Sequence, residues 1–127
     1  IMINDEIEHF GRSIGVENLA LNDAGCLKFI FENNVHINIE KFEDTIFFFI
    51  TKTYELSPLP YNYYISALSM NYRLNTTPFP VEAIAKTDQD VGFFVRIKEN
   101  LCDQPTLYKV FQFLMQYMRQ FENKVVN

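Results

Sequence analysis

The sequence predicts an α+β fold: an antiparallel twisted sheet with N-terminal, central and C-terminal helices, in the order α-ββββ-α-ββ-α. Ile46-Phe47-Phe48-Phe49-Ile50 is an apolar run of strand length in an otherwise well-charged chain. Val35, Ile37 and Ile39 alternate with His36, Asn38 and Glu40, the period of a half-buried strand. Leu107, Val110, Phe111, Leu114, Met118 and Phe121 recur at i, i+3, i+4 and i+7, a continuous stripe along one helix.

Taken in order, residues 2–14 form the first predicted helix, with Ile3, Ile7, Phe10 and Ile14 on one stripe. Asn4 or Asp5 offers a cap, and Gly15 is a natural stop. Four strand segments follow. The first is the short Leu19-Ala20-Leu21, closed by the turn-forming Asn22-Asp23-Ala24-Gly25. From Cys26 to Phe31, Leu27, Phe29 and Phe31 face one way, while Lys28, Ile30 and Glu32 face the other. Asn33-Asn34 is a two-residue hairpin signal, because Asn tolerates positive φ. The alternating strand then passes through a polar turn into the Phe run, which continues to Thr53.

Ser57-Pro58-Leu59-Pro60 ends this meander. Residues 61–72 read as a helix with Tyr64, Ala67, Leu68 and Asn71 on one side, and Ile65 and Met70 off it. Apolar residues on more than one side of so short a helix imply cover on both, as at an oligomer interface. Thr76-Thr77-Pro78 halts the helix. Two strands near 79–86 and 92–98 follow, joined by Thr87-Asp88-Gln89-Asp90, with Phe93, Val95 and Ile97 opposite in facing to Phe94 and Arg96. Pro105 opens the last helix at a favoured first-turn position.

The Phe run poses the functional question. A strand turns Phe47 and Phe49 to one face and Ile46, Phe48 and Ile50 to the other. A single domain, 1–127, covers one face of an antiparallel sheet with its own helices, so a second apolar face needs other cover. A second copy, a partner protein and a small apolar ligand are the candidates. Parity assigns Ile46, Phe48 and Ile50 to the core with Phe93, Val95 and Leu114, and leaves Phe47 and Phe49 to meet another chain.

Several function classes lack support. The net charge of −5 and the scattered Lys and Arg give no basic face for nucleic acid or an anionic membrane. No apolar stretch approaches the roughly 20 residues of a membrane span. The acidic start is no secretory signal; Met2 is a candidate initiator, and the origin of Ile1 stays open. Cys26 and Cys102 read as reduced, partly buried thiols, without the spacing of a metal or redox pair. His9 and Asp5 have the spacing of a helix surface pair. His36 and Glu40 share a strand face but stand about 13 Å apart, too far for one metal ion. Asp88 and Asp90 read as turn formers, since a calcium loop needs more oxygen ligands. Asn75-Thr76-Thr77 matches a glycosylation sequon that has no meaning in a cytosolic chain. No catalytic residue, metal site or cofactor is predicted.

"LALNDAGCLKFIFENNVHINIE" (19–40), the Leu-Pro-initiated helix ending Ala67-Leu68-Ser69-Met70-Asn71 and the amphipathic C-terminal helix resemble the class I type III secretion chaperones, the Tir-chaperone-like family. The resemblance covers nearly the whole chain. Its most specific pieces are the turn Leu21-Asn22-Asp23-Ala24-Gly25-Cys26 and the central helix closing on Asn71; Leu68-Ser69 stands where the family usually carries Leu-Leu. It implies a non-catalytic bacterial cytoplasmic homodimer that binds an N-terminal segment of a secreted effector and keeps it export-competent. By position, it implies dimer contacts through Tyr64, Leu68 and Met70. It also implies effector contacts through the first helix and the outward sheet face, at Ile30, Phe47, Phe49 and Phe94. The alternative is a small apolar-ligand binder or lyase with an aromatic-lined pocket, which requires polar groups such as His9 or His36 inside an enclosed cavity. A purely structural dimerisation module differs from the chaperone only in lacking an extended client.

Overall fold

A computed structural model describes residues 2–72 and 78–126. Its elements are α1 (Ile3–Ser13), β1 (Cys26–Phe31), β2 (Val35–Phe42), β3 (Thr45–Thr53), α2 (Tyr61–Ser69), β4 (Val81–Ile84), β5 (Asp90–Lys98) and α3 (Gln104–Val126). Short 3-10 turns cover Glu32–Asn34, Met70–Tyr72 and Glu99–Leu101. The strands form one antiparallel sheet in the order β1-β2-β3-β5-β4, so the Phe run lies at its centre.

The helices and the five-stranded antiparallel sheet match the predicted class, with one strand fewer before α2. Leu19-Ala20-Leu21 is irregular, because its contacts go to α1 instead of to a strand. Leu19 is buried against Gly11, where an added Cβ would lie 2.8 Å from the leucine Cδ1. The Leu21 amide donates to Asn4 Oδ1 at 2.9 Å. That bond takes Asn4 away from the capping role expected of it, and α1 starts after Met2 with no side-chain cap from Asn4 or Asp5. At the β1–β2 hairpin both Asn33 and Asn34 have positive φ (59° and 58°), as their residue type predicts. The connection is one residue longer than expected, since Glu32–Asn34 separates paired Phe31 and Val35. β4 is shorter than its sequence signal, and Asn75-Thr76-Thr77 lies outside the described residues.

Strand parity builds the core. Ile46, Phe48 and Ile50 of β3 are fully buried, as are Phe93 of β5 and Leu114 of α3, while Val95 is nearly so. Phe10 of α1 meets Phe48 and Phe111 edge-on, at ring-centroid distances of 5.8 and 5.7 Å. These geometries suit the aromatic quadrupoles and lock α1, β3 and α3 together. All six residues of the predicted α3 stripe are buried. α3 is capped by Asp103, whose Oδ1 accepts the Thr106 amide at 2.9 Å; hydrogen bonding from the Thr106 side chain and then from this amide holds the Asp103 carboxyl below its ordinary pKa. The Gln104 amide donates to Glu6 Oε1 at 2.7 Å, tying the start of α3 to α1.

Gly92 sets the spacing between β3 and β5. It pairs with Thr51, and a Cβ there would lie 2.6 Å from Thr51 Cγ2 and collide with the Ile50 carbonyl. Neither backbone can retreat without breaking the central ladder. Gly92→Ala is therefore expected to lower stability by about 2 kcal/mol, read as a lower urea midpoint at unchanged slope.

Candidate functional site

The face of the sheet turned away from the core carries an aromatic cluster. Register sets Phe49 opposite Phe94 on one side and Asn38 on the other, and sets Phe47 opposite Arg96 and Glu40. Phe47 and Phe49 stack at 6.2 Å, and Phe94 lies 6.3 Å from Phe47 and 5.1 Å from Phe49. The rings are partly buried, in contact with one another. Ile30 of β1 is on the same face and 62% exposed, but β2 separates it from the rings, since its register partner is His36. The structure thus brings Phe47, Phe49 and Phe94 together and leaves Ile30 apart at the sheet edge.

Polar groups frame this cluster. Arg96 Nη2 donates to both Glu82 carboxylate oxygens at 2.7 and 2.8 Å, while its guanidinium lies 5.4 Å from the Phe94 centroid. Lys86, from the loop before β5, places its ammonium 5.3 Å from the Phe49 centroid. Asn38, 6% exposed, holds its side-chain amide between the Ile37 carbonyl and the Lys86 ammonium; with the amide nitrogen turned toward the carbonyl it donates there at 3.0 Å and accepts from Lys86 Nζ at 3.0 Å. Sequence reasoning missed Lys86. Its position is set by Asp90, whose Oδ1 accepts the Lys86 and Thr87 amides, both at 2.8 Å. Asp90 is the turn former it was read to be, and Asp88 accepts Ser57 Oγ at 3.2 Å in the same loop.

A second apolar surface lies on α2. Tyr63, Ala67 and Met70 form the inward stripe, while Tyr61, Ile65 and Leu68 form an outward stripe at 78%, 46% and 57% exposure. Tyr64, Ala67 and Leu68 line a groove of about 180 Å³ with Ala83, Ile84, Ala85 and Val91. Tyr64 and Leu68 are therefore neighbours at a surface, but Met70 is not. Its side chain is buried to 1% exposure, and its carbonyl accepts the Tyr117 hydroxyl at 2.8 Å. The expected contact role of Met70 fails because Met70 lies three residues after Ala67 and seven after Tyr63, on the inward stripe, and so joins the core.

Neither surface holds reactive chemistry. Among the described residues no group of three or more His, Cys, Asp or Glu is placed to hold a metal ion. The clefts found among them are open to solvent, and neither His9 nor His36 lines one. Cys26 and Cys102 are free thiols, and burial, with Glu99 and Asp103 adding negative charge, pushes Cys102 up to about 12. No helix among the described residues is long and apolar enough to cross a membrane.

A closed inner core with apolar side chains left on an outer sheet face and an outer helix side defines a binding module built to meet other polypeptide. The sequence matches the Tir chaperone protein (CesT) family over residues 6–122, and the chain belongs to that family of non-catalytic type III secretion chaperones. No individual characterised protein matches it by sequence. By structure it is similar to a chain of the ExsC–ExsE complex, with a TM-score of 0.76, 13% identity, and 95% of this chain and 91% of that one covered. It is similar to a chain of the Yersinia pestis type III secretion chaperone SycH bound to a fragment of YscM2, at 0.68, 12% identity, 94% and 99%. A chain of the ExoU–SpcU heterodimer from the Pseudomonas aeruginosa type III secretion system aligns at 0.63, 16% identity, 99% and 100%. At such identities the likeness is one of fold.

The two faces of β3 should respond differently to truncation. Phe48→Ala is expected to cost about 4 kcal/mol by opening a core cavity. Phe49→Ala should cost about 1 kcal/mol, since its ring contacts lie at the surface. Parallel denaturant curves compare them. In a thiol titration at pH 8, Cys26 should react first and Cys102 only as fast as the protein unfolds, because its thiolate is scarce below its raised pKa.

Proposed function

We propose that the chain acts as a single domain in a cytoplasmic homodimer, binds an N-terminal segment of a type III secreted effector in extended form, and keeps that segment export-competent. The observation that carries this reading is the pair of apolar surfaces left over once the helices have closed the inner core. Two surfaces of different shape suit two partners. The groove between α2 and β4, with Tyr64 and Leu68 and the flanking Ile65, suits a flat contact with a second copy. The outer sheet face, with Phe47, Phe49, Phe94 and the edge residue Ile30, together with α1, suits an extended segment. Such a segment gains main-chain hydrogen bonds at a free sheet edge and seats alternate side chains on the face. The structural relatives support the partner class: one of the similar structures is a HopA1–SchA chaperone–effector complex.

Burying the outward stripe of α2 against its twin would remove three large apolar side chains from water and leave no charge stranded. Leu68→Asp would place a carboxylate there with no partner. Light scattering at micromolar concentration should give a dimer, and Leu68→Asp should weaken dimerisation by about thirtyfold or more with an unchanged circular dichroism spectrum. A wild-type monomer persisting at high concentration would refute the homodimer. For the client, an N-terminal segment of a secreted protein encoded beside this chain should co-purify with it and resist protease. Phe47→Asp with Phe49→Asp should abolish that protection; protection that survives the pair would move the effector site elsewhere.

A further inference from the structure

We infer that the outer face reads a carboxylate as well as apolar side chains: its client segment carries an Asp or Glu beside apolar residues, and Lys86 with Lys28 receives it. The inference rests on the outer sheet face being the segment-binding surface. Arg12, Lys41, Lys52, Arg96 and Lys98 are each paired with a carboxylate of the chain. Among the described residues Lys109, Arg119 and Lys124 of α3 are in no salt bridge with a carboxylate, and neither are Lys28 and Lys86. Lys28 and Lys86 both belong to the outer face, and they flank the same cross-strand row. Lys28 pairs with Asn38, Asn38 with Phe49, and Phe49 with Phe94, while the Lys86 ammonium sits on Asn38 and Phe49.

The local charge balance points the same way. The chain carries −5 overall, yet this stretch is balanced: Lys28, Lys86 and Arg96 stand against Glu40, Glu82 and the buried Asp90, with His36 alongside. Glu82 is committed to Arg96 by two contacts, and Glu40 lies one row away opposite Phe47. Lys86 is held ready: Asp90, 6% exposed, fastens its loop through two backbone amides. One ammonium hydrogen is given to Asn38, and the ring contact is weak at an exposed site, so donors remain for an incoming carboxylate. In an extended segment, side chains two residues apart project to one face about 7 Å from each other. A carboxylate at the lysines then sets its neighbours over the phenylalanines. The sheet selects a pattern of acid plus apolar, which an apolar patch by itself cannot do.

The test uses three fluorescein-labelled peptides of alternating Leu and Thr that differ only at one central position: Asp, Asn or Lys. Their affinities for the wild-type protein, for Lys28→Gln with Lys86→Gln, and for Phe47→Asp with Phe49→Asp are measured by anisotropy at about 50 mM and 500 mM salt. Thermal unfolding confirms that each variant is folded. The Asp peptide is expected to bind about three- to fivefold tighter than the Asn peptide at low salt, with Lys weakest. That order should vanish in the lysine variant while the affinity of the Asn peptide is kept. Equal binding of Asp and Asn peptides, lost in the phenylalanine variant, would overturn the carboxylate inference and leave the outer face as the client site. No binding of any peptide, or binding indifferent to the phenylalanine pair, would overturn the outer-face reading and this inference with it.

Discussion

The alternation of side chains along β3 is the constraint on which the rest of the molecule depends. This strand is central, pairs with β2 and β5 over its length, and is apolar on both faces. Its inner face is sealed by α1 and α3. A helix of the length of α3 extends about 34 Å, enough to run along the whole of a nine-residue strand. No comparable element is left for the other side, because α2 is short and packs at the β4 edge. Phe47, Phe49 and Phe94 therefore cover one another. Their mutual stacking removes some apolar area from water and keeps the rest as contact surface.

α2 repeats the same theme in helical form. Its inward stripe includes Ala67, whose small side chain lets the helix approach the sheet closely, and its outward stripe has Ile65 and Leu68 in water. A helix that is apolar on opposite sides has no amphipathic reason to sit where it does unless something beyond its own chain covers the second side. Inner contacts tie it to the rest of the protomer: Tyr54, Tyr63 and Phe121 meet edge-on at 5.4 and 6.0 Å, and Tyr117 bonds the Met70 carbonyl just beyond its end.

What could be read from the sequence follows from where periodic signals are strong. The stripe on α3 and the parity of β2, β3 and β5 are long enough to assign faces without coordinates, and so Phe48 against Phe49 was legible. α2 was legible as a helix apolar on more than one side, but not as to which side is which. Periodicity that is apolar all round carries no phase, and Met70 falls on the inward stripe with Tyr63 and Ala67. Leu19–Leu21 misled because its apolar residues answer to Gly11 and Asn4 on α1, contacts that alternation does not encode. The Asp103 cap could have been found from Asp-x-Pro-Thr before an apolar stripe. Lys86 could not, since a loop lysine acquires its place from a buried aspartate and a neighbouring strand.

The openness of the candidate site is consistent with the absence of chemistry in it. An enclosed pocket discriminates by shape, and unpaired polar groups inside it would punish a wrong ligand. An exposed sheet face has no walls. It discriminates through the spacing of its side chains and the sign of its few charges, and each such term is small because water competes for it. Selectivity must then come from length, as many weak matches along an extended chain add up while one mismatch costs little. The overall negative charge adds a kinetic consequence. The field of the whole molecule does not draw an acidic segment in, so any steering by Lys86 is local, and most of the difference in affinity between related segments lies in how long they stay. A contact of that kind suits a carrier that must hold its client firmly enough to protect it and still release it whole.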